Sequence, residues 1–215
     1  MYIMLIGSIN ITSVKDMKYN KNHFTIDVDN DVDNDVNKLL IDTFNLPYKI
    51  HFYANKICSL EDFIKSSSFT IYTANKMLIS IYNQLNRLYK QNLYISFFDV
   101  NDIMVIDSHC FFFCNANKLY PSNNDTLHIS DIYDKNSMFI PPEFKSNNKI
   151  PFISHTNTAF YSLAIIILYS IKKSNILFHQ MSCFEILEYY KSTKMYSILK
   201  MCLVENASDR HLIIF

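Results

Sequence analysis

Apolar positions fall in short alternating runs over the first quarter of the chain and then move to helical spacing. "YIMLIG" (2–7) and "HFTIDV" (23–28) read as strands, and "YKIHFYA" (48–54) reads as another. "DVNKLLIDTF" (35–44) predicts a short helix that stops before Pro47. "SLEDFIKS" (59–66) predicts a second, with Ser59 as its N-cap and Asp62 three residues on. The clearest periodicity runs from Thr73 to Asn92. There Met77, Leu78, Ile81, Tyr82, Leu85, Leu88 and Tyr89 make one apolar stripe, which is a core face.

Next come two strands, "IMVID" (103–107) and "CFFFC" (110–114), with Ser108-His109 as the turn between them. Residues 119–150 read as loop, because "YPSNND" and "IPPEF" carry breaker residues. A continuous apolar run at 159–171 predicts a buried helix; its 13 residues are too few to span a bilayer. Helices over about 182–191 and 193–204 complete the pattern. Strands first and helices afterwards make an α+β protein.

Composition narrows the chemistry. The 215 residues contain one glycine, and loops that close the backbone on phosphate need several, so Gly7 alone excludes the usual nucleotide-binding loops. Lys plus Arg equals Asp plus Glu, so the chain lacks the basic footprint of a nucleic-acid binder. Five scattered cysteines do not suggest a disulfide framework and fit a reducing, intracellular and cytoplasmic setting. The N-terminal apolar run has no positive flank and no cleavage signal, so neither a leader nor a membrane segment is expected.

Two metal motifs can be weighed on spacing. Asp31, Asp33, Asp35 and Asp42 fall at positions 1, 3, 5 and 12 of a calcium-loop frame, but Val36 stands where that loop needs glycine. A solvated loop running into a helix is the better reading. His109, Cys110 and Cys114 have no second Cys/His pair close by in sequence, so buried structural cysteines are expected rather than a zinc site.

The ordered set of segments resembles the protein kinase family, with the match strongest over 57–215. "SLEDFI" looks like the helix after the kinase hinge, and 73–92 looks like the long helix before the catalytic loop. "DIMVIDSHCFFFCNAN" (102–117) is similar to the hairpin and metal-binding triplet. "PPEF" resembles the end of the activation segment, "FYSLAIIILYSI" the helix that follows it, and "CLVENASDR" the terminal arginine segment. The resemblance implies a kinase-like α+β fold, with a reduced N-terminal β lobe over 1–53 and a mainly helical C-lobe over 54–215. It also implies a structural ion pair between Glu143 and Arg210.

The same resemblance empties the catalytic positions. The catalytic triplet falls on Ile95-Ser96-Phe97, so Phe97 stands in place of the base. Asp102 stands where a metal-binding asparagine belongs, and Asn115 where the metal-binding aspartate belongs. Asp99 is the nearest carboxylate to the missing base. Lys15 is the candidate for the phosphate-holding lysine. The expectation is a pseudokinase-type protein that scaffolds or regulates another protein, similar to the short kinase-like proteins of large DNA viruses, in a host cell or virion. It would use no cofactor and touch neither nucleic acid nor membrane. One alternative is a divergent serine/threonine kinase that uses ATP and magnesium through Asp99 or Asp102, with Lys15 and Asn115 as further ligands. Another is a purely structural protein.

Overall fold

The computed structural model describes residues 2–6, 9–16, 21–27, 51–147 and 149–212. The calcium-like frame of 31–42, the helix expected at 35–44, and the first half of the strand expected at 48–54 lie outside these residues.

The chain opens on a four-stranded antiparallel sheet in the order β1-β2-β3-β4: Tyr2–Ile6, Ile9–Asp16, Lys21–Asp27 and His51–Ala54. The sequence pattern missed β2, because "INITSVKD" is mostly polar. Its pairing with β3 runs from Asn10↔Asp27 to Asp16↔Lys21. Ile11, Phe24 and Ala54 are buried and join the same apolar cluster as Ile57 and Leu60 of the following segment. That shared burial ties the sheet to the rest of the chain.

After β5 (Ile57–Ser59), α1 (Leu60–Ser66) starts where the Ser59 hydroxyl accepts from the Asp62 amide. Helix α2 (Ile71–Tyr89) begins two residues earlier than the apolar stripe suggests, because Thr70 accepts from the Thr73 amide as its N-cap. Its buried face contains Met77, Leu78, Ile81, Leu85 and Leu88, but also Gln84. Strand β6 (Leu93–Ile95) leads to a 3-10 turn over Val100–Asp102, and then to the hairpin β7 (Ile103–Ile106) and β8 (Cys110–Phe113). Strands β5, β7 and β8 form a three-stranded sheet in that order.

The expected loop at 119–150 is largely structured. Strands β9 (Leu119–Asn123) and β10 (Thr126–Ile129) form a hairpin, and β11 (Phe152–His155) pairs with β10. With β6 these strands make a third sheet, β11-β10-β9-β6. Of the breaker residues that suggested a loop, Pro121 and Ser122 lie within β9, and Asn124-Asp125 make the turn. Asn124 and Asp125 have φ of 50° and 59°, which Asn and Asp tolerate best after glycine, and they link Asn123 to Thr126 in two residues.

Helix α3 (Pro142–Ser146) carries Pro142 in its first turn, where a missing N–H costs nothing. Helix α4 (Thr158–Ser174) is the buried helix of the sequence pattern and sits at the centre of the core with Leu163, Ile166, Ile167 and Leu168 fully enclosed. Helices α5 (Cys183–Tyr189) and α6 (Lys194–Cys202) pack against it. Among the described residues, no helix is long and apolar enough to cross a membrane. The fold is α+β, with antiparallel sheets and a helical second half.

Candidate functional site

The β7–β8 hairpin is the floor of the candidate site, and hydrogen bonds at its tip and its outer edge fix it. Its turn is Asp107-Ser108-His109 rather than Ser108-His109 alone, since Ile106 is opposite Cys110. Asp107 and Ser108 both have positive φ (50° and 63°). The Asp107 carboxylate then accepts from the Asn55 amide (2.7 Å) and the Lys56 amide (2.9 Å), which anchors the chain entering β5 to the hairpin tip. On the outer edge of β8, the Gln84 side chain acts as a substitute strand. Its Nε2 donates to the Phe113 carbonyl and its Oε1 accepts from the Phe113 amide, both at 2.8 Å. A buried polar side chain inside an apolar helical stripe is thereby paired in full with the backbone it faces.

Four side chains converge where the hairpin meets the 3-10 turn. Asp99 and Asp102 close that turn as a capping box. The Asp99 amide donates to Asp102 Oδ2 (2.9 Å), and Asp99 Oδ1 accepts from the Asn101 amide (2.8 Å). Asn115 Nδ2 donates to Asp102 Oδ1 (2.6 Å). The Lys118 ammonium reaches Asp102 Oδ2 at 2.5 Å and Asp99 Oδ2 at 3.4 Å. Lys118 also lies over the face of Phe97, 4.8 Å from the ring centroid. A cation there is held by two carboxylates and one aromatic face.

Asp102 is almost fully enclosed, at 3% exposed. Burial pushes its carboxyl above the ordinary range, and the opposing pull comes first from the Lys118 charge and then from its hydrogen bonds with Lys118 and Asn115. The backbone continues the same knot: the Asp102 carbonyl accepts from the Cys114 amide (2.8 Å) and from its thiol (3.3 Å). Burial holds that thiol well above its ordinary pKa, as for a cysteine packed in a core. Cys110 is only half-buried, so the two cysteines sit in different environments. Among the described residues no group of three His, Cys, Asp or Glu side chains is arranged to hold a metal.

Phe97 belongs to an aromatic cluster. It meets Phe144 edge-on at 5.3 Å and Tyr133 at 5.7 Å, and both also contact Phe152. This cluster joins the segment before the 3-10 turn to α3.

Glu143 stands next to Phe144 in the first turn of α3. Its carboxylate takes the Arg210 guanidinium end-on, with Nη1–Oε1 and Nη2–Oε2 both at 2.7 Å. The Thr158 hydroxyl also donates to Glu143 Oε1 (2.6 Å). Arg210 is fully buried; its Nε donates to the Val204 carbonyl (2.7 Å), Nη2 donates to the Glu205 carbonyl (2.8 Å), and the Tyr161 ring lies against the guanidinium at 5.2 Å. Planar, forked donors suit this arrangement, which an ammonium could not reproduce.

The structure therefore brings together Asp99, Asp102 and Asn115, and separately Glu143 and Arg210. Lys15 is placed only as a position in β2, opposite Asn22, and its side chain lies outside the described residues. Lys118 and Gln84 were not visible as site residues in the sequence. Lys118 is the only Lys or Arg within 97–118, which is the signal that would have singled it out. No family model matches the chain, and no curated protein matches it.

Proposed function

We propose that this chain is a kinase-like protein of the pseudokinase type, without phosphotransfer activity, which acts by contact with a protein partner. One observation carries the reading. Both oxygens of the Asp102 carboxylate are already used inside the chain, Oδ1 by Asn115 and Oδ2 by Lys118 and the Asp99 amide. A magnesium–nucleotide complex would need those oxygens free, since magnesium is bound through one or two carboxylates together with substrate phosphates. Asp99, the carboxylate nearest Phe97 in sequence, is likewise committed to its cap and to Lys118.

The order of the 3-10 turn, hairpin, Asn115 segment, α3 and α4, and the Glu143–Arg210 pair, support a kinase-like scaffold. Function by surface contact is supported by the apolar side chains left in water along 176–189: Ile176 (82% exposed), Leu177 (80%), Phe184 and Tyr189. On this reading the protein takes no ATP or metal cofactor, and neither nucleic acid nor membrane is its partner. A phosphotransfer assay with labelled ATP and either magnesium or manganese tests it. The reading expects no label on the chain itself or on generic protein substrates. Incorporation that disappears in Asp102→Asn would favour the divergent-kinase alternative.

A further inference from the structure

A cavity of about 240 Å³, partly open to solvent, lies between the second half of α2, the start of α4 and the segment 210–212. It shares no lining residue with the Asp102 cluster. Its apolar wall comes from Leu85, Phe160 and Leu212, with the Tyr82 and Tyr89 rings beside them. Two polar groups of the wall are already engaged: Asn157 Nδ2 donates to the Arg210 carbonyl (2.9 Å), and Glu143 neutralises the Arg210 guanidinium. Tyr89 is different. Its hydroxyl is buried and has no hydrogen-bond partner among the described residues. Its ring stacks on Tyr94, with centroids 4.6 Å apart, which holds the hydroxyl where it is. Buried polar atoms in folded proteins are nearly always paired, so this one calls for a partner from outside the chain.

We propose that the cavity binds a neutral, compact aromatic molecule of about one ring, which presents a carbonyl or ether oxygen to the Tyr89 hydroxyl. Volume sets the size: an apolar cavity of about 150 Å³ holds one benzene molecule, whereas a water fills only about 30 Å³. Charge sets the neutrality, because the guanidinium at the wall already has its carboxylate. Burial raises the Tyr89 hydroxyl above its ordinary range, so it stays protonated at neutral pH and can donate. An apolar wall with one well-placed polar group is the make-up of a small-molecule site. The inference goes beyond the proposed function and stands on this cavity alone.

The test uses two probes on the full chain: acetophenone, and α-methylstyrene, which keeps the shape but has CH2 in place of the carbonyl oxygen. Binding is read by thermal melting and by saturation-transfer NMR of the probe. Acetophenone should raise Tm saturably and bind the wild type about tenfold more tightly than α-methylstyrene, the worth of one hydrogen bond. Tyr89→Phe should abolish that preference and leave α-methylstyrene binding unchanged. Asn86→Trp, which adds bulk at a half-buried position of the wall, should weaken both probes at least about tenfold. If a variant does not fold, the preference in the wild type still decides. No saturable binding of acetophenone, as for a cavity that holds water only, would overturn the proposal. So would equal binding of the two probes to the wild type, a preference that survives Tyr89→Phe, or undiminished binding to Asn86→Trp. Phosphotransfer is read separately, so failure here leaves the proposed function standing.

Discussion

Arg210 and Glu143 meet through two parallel hydrogen bonds of 2.7 Å, 67 residues apart in the chain, with the guanidinium fully enclosed. Every remaining donor direction that the structure uses on Arg210 goes to a backbone carbonyl of 204–205. The pair thus pins the segment after α6 to α3. Removing the carboxylate leaves a buried charge without its partner. Glu143→Ala should therefore lose about 3–5 kcal/mol of unfolding free energy, measured by urea denaturation. Arg210→Lys should recover little of the stability lost in Arg210→Ala, because an ammonium cannot bond both carboxylate oxygens and two carbonyls in one plane.

Asp102 gives the fold a pH signature. Burial raises its carboxyl above the ordinary value, so the folded chain takes up this proton at a higher pH than the unfolded chain does. Between the unfolded and folded values the native state binds more protons, and stability falls as pH rises through that window. The contribution is complete below the unfolded value and gone above the folded one. Urea melts of the wild type and Asp102→Asn across the acid range should show this slope in the wild type alone. A difference curve that is flat, or that rises with pH, contradicts the assignment.

Gln84 should prove worth more than an ordinary surface amide. Its replacement by leucine leaves the Phe113 amide and carbonyl facing an apolar wall, at a cost of about 1–3 kcal/mol for each unpaired group. Hydrogen exchange followed by mass spectrometry should show faster exchange in the peptide covering β8, with little change in β9 and β10.

The five thiols should separate by reactivity. Cys114 and Cys202 are buried, and burial raises both; Cys202 is pushed up to about 12. Alkylation of the native protein at neutral pH, read by mass, should label Cys58, Cys110 and Cys183 first. Labelling of Cys114 at the same rate as Cys110 would mean that the Asp102–Cys114 knot opens in solution.

The sequence shows the long helices and the β7–β8 hairpin well, because their apolar residues repeat at one period, whereas the short helix α3 lies in a stretch that reads as loop. The stripe from Met77 to Tyr89 and the run at 159–171 each specify a buried face without outside help. Strands β2, β9 and β10 are short or polar, and what places them is pairing with distant partners, such as Thr126 opposite His155. Pattern alone does not contain that pairing. The Asn124-Asp125 turn was readable, but in a stretch rich in Pro, Ser and Asn it passes for loop. Asp99, Asp102 and Asn115 stood out as site residues because of their types and spacing. Lys118 did not, because its importance depends on the bend at Ala116–Lys118 that carries its side chain back over Phe97.

The proposed function requires that the Asp102 carboxylate, whose oxygens are engaged within the chain, take no metal–nucleotide complex. Thermal melting of the wild-type chain with ATP, magnesium, and both together tests this most directly. A ligand that binds the native state raises the melting temperature by mass action. The same Tm is expected in all conditions. A saturable rise that needs both ATP and magnesium, and that is lost in Asp102→Asn, would contradict it.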